Sequence, residues 1–293
     1  MENKLLLMNT NLVVNDSKIL LEGAIVLNNG LVEDVYGGQY QKRLKSFEGK
    51  QIDLYGLNIM PAMVNINQIS SNVGEGVGAY LKVVIGPNFL DEVKKYTDCV
   101  GLRYEYQGVL GRQELHSINR NHQLKMVSLV PDLQNPSVLK ELNDCDIRTA
   151  VIRSKLESWE LKALRFNLIA DYMEKEAYVD FKRRCLNNVP FIDDYFMVEL
   201  DVNGDFDDYM LKLLIDKIGP KHIIVSSEDM SKALKRLIEL GYQLNEIAAM
   251  TSLNAYHYLG LDHRAGSLQK GKVANLIVIK DDGTIVTHIK GDF

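Results

Sequence analysis

Cysteine is scarce in this chain of 293 residues: only Cys99, Cys145 and Cys185 are present, an odd number with no two close together. A disulfide framework or a zinc ribbon needs clustered cysteines, so both are disfavoured and a reducing compartment fits. No charge of one sign dominates either. The 34 Lys and Arg face 39 Asp and Glu, a net charge of −5. Such a mildly acidic chain lacks the basic surface that nucleic-acid phosphates require, so no nucleic-acid partner is expected. Long apolar runs are missing as well. The first, Leu5 to Met8, is interrupted at once by Asn9, Thr10 and Asn11. It is too short for the apolar core of a secretion signal or for a bilayer span, so the expectation is a cytoplasmic protein without a membrane partner. Walker loops, nucleophile elbows and H-E-x-x-H pairs are also lacking.

The composition that remains, 46% hydrophobic and 25% charged, is that of a globular protein with a sizeable core. The first sixty residues alternate short apolar stretches with turn signals: Lys4–Met8, Leu12–Val14, Lys18–Leu21, Ala24–Leu27 and Leu31–Tyr36. From Asn58 onward eight apolar runs follow: Ile59–Ile66, Tyr80–Ile85, Cys99–Tyr104, Leu124–Val130, Arg148–Ile152, Phe166–Ala170, Phe196–Leu200 and His222–Val225. Amphipathic stretches separate the later ones, at Pro136–Asn143, Lys155–Leu164, Met173–Leu186, Phe206–Ile218 and Ser231–Leu240. Buried parallel strands read as near-continuous apolar runs, and their crossovers are usually helices. After a helix over Leu244–Leu259 the pattern returns to strands at Ala265–Leu268, Asn275–Lys280 and Thr284–Ile289. The reading is an α/β chain: a distorted (β/α)8 barrel over residues 58–264, inserted into a small β-sandwich made from residues 1–57 and 265–293.

Two stretches carry a family resemblance. One is Asn58-Ile59-Met60-Pro61-Ala62-Met63-Val64-Asn65-Ile66-Asn67. The other runs from Thr251-Ser252-Leu253-Asn254-Ala255 through Leu259-Gly260-Leu261 to Gly266-Ser267-Leu268-Gln269-Lys270-Gly271-Lys272-Val273-Ala274-Asn275-Leu276. Together they resemble the amidohydrolase superfamily, and within it the N-acetylglucosamine-6-phosphate deacetylase family, with Asn275 in place of that family's usual Asp. The resemblance implies a barrel hydrolase in which a divalent ion activates water and polarises an amide carbonyl.

The residues at the implied ligand positions depart from that chemistry. The family's first-strand His-x-His stands here as Asn65-Ile66-Asn67. Alternation keeps the two side chains on one face, but an amide oxygen is a poor substitute for imidazole at a zinc-like ion. Glu105 falls where the family has a metal-binding Glu, Arg153 and Asp171 where it has histidines, and Ser227 where it has a catalytic Asp, with Glu228 one residue on. None of the six histidines occupies a ligand position.

No metal and no other cofactor is therefore expected. The candidate acids are Glu105, Glu228 and Asp229. The candidate ligand-binding residues are Asn65, Asn67, Arg153 and Asp171. Arg153 is expected to stand in for the lost ion, pairing with Glu105 and Asp171 while Asn65 and Asn67 donate to the same carboxylates. Glu105 has Arg103 as an alternative partner.

Three other features have simple structural readings. Gly74–Gly78 reads as a turn, Asp201–Asp208 as the acidic start of a helix, and Ser227–Asp229 as another helix start. The partners expected are a small sugar-like ligand and a second copy in a homodimer. Two functions stay open: a non-catalytic relative that binds a ligand or a partner, and a divergent hydrolase acting on an N-acetylated amino sugar phosphate or related amide.

Overall fold

The structure is a computed structural model, and it describes residues 4–68, 73–84, 99–105, 125–130, 144, 149–152, 167–171, 196–204 and 206–291. The chain divides into two compact units. The first comprises Met1–Val64, Gly74–Gly78 and Glu228–Phe293, and the second Asn65–Val73 and Ala79–Ser227.

The first unit joins both ends of the chain in one sheet. Its strands, numbered along the chain, are β1 (Lys4–Asn15), β2 (Lys18–Asn28), β3 (Leu31–Tyr36), β4 (Lys50–Asp53), β5 (Asn58–Pro61), β14 (Leu276–Ile279) and β15 (Ile285–Ile289). They lie in the order β15-β14-β5-β1-β2-β3, with β4 pairing beside β1. Strand β14 runs antiparallel to β5, with Ile277 opposite Met60, so the C-terminal hairpin closes onto the segment that ends the N-terminal meander. One side of the sheet gathers Leu7, Leu12, Ile25, Ile59, Leu276 and Val278 into a buried cluster. A smaller cluster forms around Leu6, Val26 and Tyr40. The expected sandwich is thus one continuous seven-stranded sheet.

Two pairs of expected strands prove to be single strands. Asn9 and Glu22 sit at positive φ, 53° and 50°, and the β1–β2 register shifts between Met8 and Thr10. A bulge absorbs the polar residue without ending the strand. At Asn9 it is held by the side chain, whose amide donates to Asp53 at 2.6 Å and whose oxygen accepts from the Tyr40 hydroxyl. The expected strand at Ala265–Leu268 is a bend instead. Gly266 has φ 90°, and the Leu268 amide donates to the Val14 carbonyl at 2.9 Å.

Residues 228–264, expected in the barrel, are counted with the first unit. They carry helix α2 (Met230–Glu239), α3 (Leu244–Ala248), a π-helical turn (Ala249–Leu253) and α4 (Asn254–Tyr258). Two contacts tie them to that unit: Asn245 donates to the Asp16 carbonyl at 2.7 Å and Ser252 to the Ala62 carbonyl at 2.9 Å. The π turn interrupts the single helix expected over Leu244–Leu259. Within it the Thr251 hydroxyl bonds back to the Ile247 carbonyl at 2.8 Å, a local competitor of the α-helical ladder.

The second unit is built on eight strands. These are β6 (Met63–Gln68), β7 (Val77–Val84), β8 (Cys99–Glu105), β9 (Lys125–Val130), β10 (Thr149–Ile152), β11 (Asn167–Asp171), β12 (Phe196–Asp201) and β13 (Ile223–Ser226). They neighbour one another in strict chain order, and the pairs from β7 to β13 are parallel. Each coincides with one of the apolar runs, except that the run Ile59–Ile66 is shared at Ala62 between β5 and β6. Helix α1 (Asp208–Ile218) starts on Asp207, whose carboxylate accepts from the Met210 amide, and buries Leu211, Leu214, Ile215 and Ile218. That spacing is one helical stripe. The helices expected at Pro136–Asn143, Lys155–Leu164 and Met173–Leu186 lie outside the described residues.

Sheet closure follows from two contacts. Asn65 on the first strand of the series donates to the carbonyl of Ser227, which follows the eighth, at 3.0 Å. In a flat sheet at the usual strand spacing, seven intervals separate these strands by roughly 34 Å. Arg103 on the third strand reaches Glu199 on the seventh at 2.7 Å, across what would be about 19 Å of flat sheet. Only a sheet curled until its first and last strands meet allows both contacts, which is the geometry of an eight-stranded barrel.

In the first unit, Asn275 takes the position where the family pattern has Asp. Its amide donates to the Gly78 carbonyl at 2.7 Å, and its oxygen faces His288 Nε2 at 2.9 Å, so that nitrogen carries the hydrogen. A Cβ on Gly78 would land on the Asn275 side chain. Gly78→Ala is therefore expected to cost about 1–3 kcal/mol of stability through overpacking, measured by urea unfolding. An unchanged midpoint would mean that Asn275 relocates freely.

Candidate functional site at the strand ends of the barrel

Asn65 is buried in β6. Its amide nitrogen donates to Gln68 Oε1 at 2.9 Å and to the Ser227 carbonyl at 3.0 Å, while its oxygen accepts from the Asn67 backbone at 3.0 Å. Because the Ser227 carbonyl can only accept and the Asn67 amide can only donate, the orientation of the side chain is determined. The expectation that Asn65 donates to carboxylates is corrected: its partners are an amide oxygen and a backbone carbonyl. One of its N–H groups closes the seam between the first and last strands, and the other stays on the first strand with Gln68.

Further hydrogen-bonding groups surround this seam. Asn203, just after β12, donates to the Ser227 hydroxyl at 2.9 Å. Gln68 and Ser227 are buried, whereas Asn67 is partly open. Asn65, Asn67, Gln68, Asn203 and Ser227 make an uncharged set of amides and a hydroxyl at the ends of strands one, seven and eight. Of these the sequence reading had singled out Asn65 and Asn67 as ligand-binding, and Ser227 only as a position.

Below the seam lies a charged contact. The Arg103 side chain is 1% exposed and that of Glu199 0%, and Nη1 donates to Oε2 at 2.7 Å. The other carboxylate oxygen accepts from the Ser226 hydroxyl at 2.6 Å. Further hydrogen bonds offset part of the cost of removing a buried ion pair from water, and the serine hydroxyl supplies one to the carboxylate. Arg103 was one of two partners expected for Glu105, whose side chain lies outside the described residues; the described partner of Arg103 is Glu199, which sequence reasoning missed. The available signal was a lone carboxylate inside the apolar run Phe196–Leu200.

The other candidates are placed by the backbone alone. Glu105 ends β8 and Asp171 ends β11, level with Glu199 in the strand register. Arg153 lies outside the described residues, directly after β10, so its expected pairing with Glu105 and Asp171 does too. In the first unit Glu228 is exposed. Asp229 caps α2, accepting from the Lys232 amide at 3.1 Å and the Ser231 hydroxyl at 2.7 Å. Those bonds, chiefly the one from Ser231, hold its carboxyl below the usual carboxylate range. It is occupied as a helix cap. Burial pushes the Cys99 thiol up, away from the thiolate a nucleophile needs.

The first-strand pair does not fit a zinc-like ion. No imidazole stands there, and the Asn65 oxygen is already engaged. Among the described residues no three His, Cys, Asp or Glu side chains are grouped as a metal would require. No helix among the described residues is long and apolar enough to cross a membrane.

With this geometry in view, the chain can be set beside known proteins. Residues 214–293 match the model of the amidohydrolase family. Solved structures share the architecture over nearly the whole chain. An N-acetylglucosamine-6-phosphate deacetylase from Pasteurella multocida superposes with a TM-score of 0.74 at 13% identity, covering 98% of each chain. That of Mycobacterium smegmatis gives 0.72 at 11% identity over 99% of each. A β-aspartyl dipeptidase from Fervidobacterium islandicum gives 0.70 at 11% identity, covering 99% of this chain and 95% of the other. No curated protein sequence matches the chain. The C-terminal part of the chain is thus similar to the amidohydrolase family, and the fold of the whole chain to that of the structures named. In fold it is similar to the N-acetylglucosamine-6-phosphate deacetylases.

Asn65→Ala removes the seam bond and leaves the Ser227 carbonyl and the Asn67 amide short of a partner. It is expected to destabilise by at least about 1–3 kcal/mol. Asn65→Asp keeps size and acceptor but loses both donors, and is expected to be no better at neutral pH. Urea unfolding checks both. Two variants as stable as the parent would show that the seam does not depend on this side chain.

Proposed function

We propose that the chain is a non-hydrolytic relative of the amidohydrolases that binds a sugar-like ligand at the C-terminal ends of its barrel strands. The observation that carries this reading is the engagement of Asn65: at the position where the family has its first metal-binding histidine, one amide donor closes the barrel on Ser227, the other is taken by Gln68, and the oxygen accepts from Asn67. In such barrels, activity resides at the ends of the strands. Here the ends of the first, seventh and eighth strands carry hydrogen-bonding groups at Asn67, Gln68, Asn203 and Ser227, which suit hydroxyls, while Glu105, Asp171 and Asp201 end the third, sixth and seventh strands. Arg153 and Asp171 follow or end the fifth and sixth strands and belong to the same proposed site. A cytoplasmic location and a homodimer are part of the proposal.

A second reading is favoured by one observation, the fold-wide likeness to N-acetylglucosamine-6-phosphate deacetylases. In it the chain is a divergent hydrolase of an N-acetylated amino sugar phosphate or a related amide, with Glu105 or Glu228 as the acid.

Acetate release from N-acetylglucosamine 6-phosphate, measured alongside elemental analysis of protein purified without added metal, separates the two. The first reading expects no release above background and far less than one zinc, iron or manganese per chain. Release that disappears in Glu105→Gln, together with near-stoichiometric metal, would establish the second.

A further inference from the structure

We infer that the outer edge of β2 over Lys18–Glu22 is a docking surface for a second copy of this chain, which adds to it as an antiparallel strand centred on Leu20. The inference gives the homodimer a surface and does not depend on what the strand-end site binds.

Strand β3 covers the outer side of β2 only from Ala24 onward. Among the described residues no strand pairs with that side of Lys18–Glu22. An uncovered edge presents a row of main-chain N–H and C=O groups, which is a template for another strand. The outer edge of β3 is closed off by contrast. Val32 exchanges hydrogen bonds with Gly271 and Lys272, each at 2.8 Å, and the Val35 amide donates to the Asp34 side chain at 2.9 Å. Lys18–Leu21 has no such cover. Its middle is Ile19-Leu20-Leu21, three apolar residues of which none is buried, whereas Ala24–Leu27 of the same strand are all buried. A bulge ends the stretch, with Leu21 and Glu22 opposite Asn11, and leaves Leu21 67% exposed. The edge is also held in place from both ends. Asn245 donates to the Asp16 carbonyl in the turn before it, and the Glu22 amide donates to the Asn11 side chain at 3.3 Å. A pre-formed edge loses little freedom on pairing.

Charge complementarity identifies the occupant. An antiparallel pair centred on Leu20 sets Lys18 opposite the partner's Glu22 and Glu22 opposite the partner's Lys18, with Ile19 and Leu21 facing each other between them. Both ends are matched at once because the contact is two-fold symmetric. A parallel pair in register would instead set lysine beside lysine and glutamate beside glutamate. Lys18 and Glu22 are exposed, and neither makes an ion pair within its own chain. So short a strand pair buries less surface than a permanent dimer does, and the association is therefore reversible.

Sedimentation equilibrium from micromolar to submillimolar concentration tests this on the unmodified chain, Lys18→Glu, Glu22→Lys, the double variant Lys18→Glu/Glu22→Lys, an equimolar mixture of the two single variants, and Leu21→Ser. The unmodified chain is expected to dimerise. Each single charge variant sets like charges opposite each other at both ends and should dimerise about tenfold more weakly. The double variant and the mixture restore opposite charges and should recover the association, the mixture as a heterodimer. Leu21→Ser should weaken the dimer too. All three positions are exposed, so thermal unfolding at low concentration should be unchanged, which separates a lost contact from a lost fold.

An unmodified chain that stays monomeric throughout would overturn the inference and leave the edge to a different occupant. A dimer that the single charge variants leave intact would keep a homodimer but place it elsewhere, and would overturn the inference as well. So would a loss that neither the mixture nor the double variant repairs. Should a charge variant not fold, Leu21→Ser against the unmodified chain decides in its place. None of these results bears on metal content or acetate release, which test the non-hydrolytic reading separately.

Discussion

A guanidinium and a carboxylate removed from water must meet, and in this chain they meet inside the barrel at 2.7 Å, from strands that a flat sheet would hold far apart. The constraint acts on the fold as a whole. It requires the sheet to curl, it places Arg103 where a smaller side chain would leave Glu199 buried and charged, and it draws the Ser226 hydroxyl onto the second oxygen. The Asn65 seam bond works in the same sense at the strand ends, joining the first strand to the residue after the last. Breaking either contact strands a buried polar group, so barrel closure and polar satisfaction are a single requirement here.

The same accounting connects the fold to its function. The fold is shared with N-acetylglucosamine-6-phosphate deacetylases and a β-aspartyl dipeptidase, and in eight-stranded barrels of this kind active sites lie at the C-terminal ends of the strands. At the ends of the first, seventh and eighth strands here, amides and a hydroxyl bond one another. Fold and chemistry are separable, because the packing of strands and the placing of catalytic groups draw on different residues. The first unit illustrates the separation. In it, hydrogen bonds from Asn275 to Gly78 and between His288 and Asn275 tie the terminal hairpin to the start of β7.

Much of the architecture was legible before the structure, for a physical reason. Parallel strands covered on both faces must be apolar throughout, so the runs at Cys99–Tyr104 and Phe196–Leu200 stood out from their surroundings. The bulges did not, because Asn9 and Glu22 look like turn residues and only strand pairing reveals that the chain continues through them. The π turn was hidden for a similar reason, as Thr251 and Ser252 fit an ordinary helix until their hydroxyls find the Ile247 and Ala62 carbonyls. At the site, Asn65 and Asn67 were visible from a family pattern. Glu199 was not, because its meaning depends on Arg103, 96 residues away in the chain. The departure of residues 228–264 from the barrel likewise rests on long-range bonds such as that of Asn245 to Asp16.

Anomalous diffraction at the zinc edge, from crystals of the unmodified chain grown with excess zinc, tests the central claim most directly. The account expects the Arg103–Glu199 contact intact and no anomalous peak at the Asn65–Asn67 pair or beside Glu105. A well-occupied peak at either place, with protein ligands at zinc-binding distances of about 2.0–2.3 Å, would contradict it.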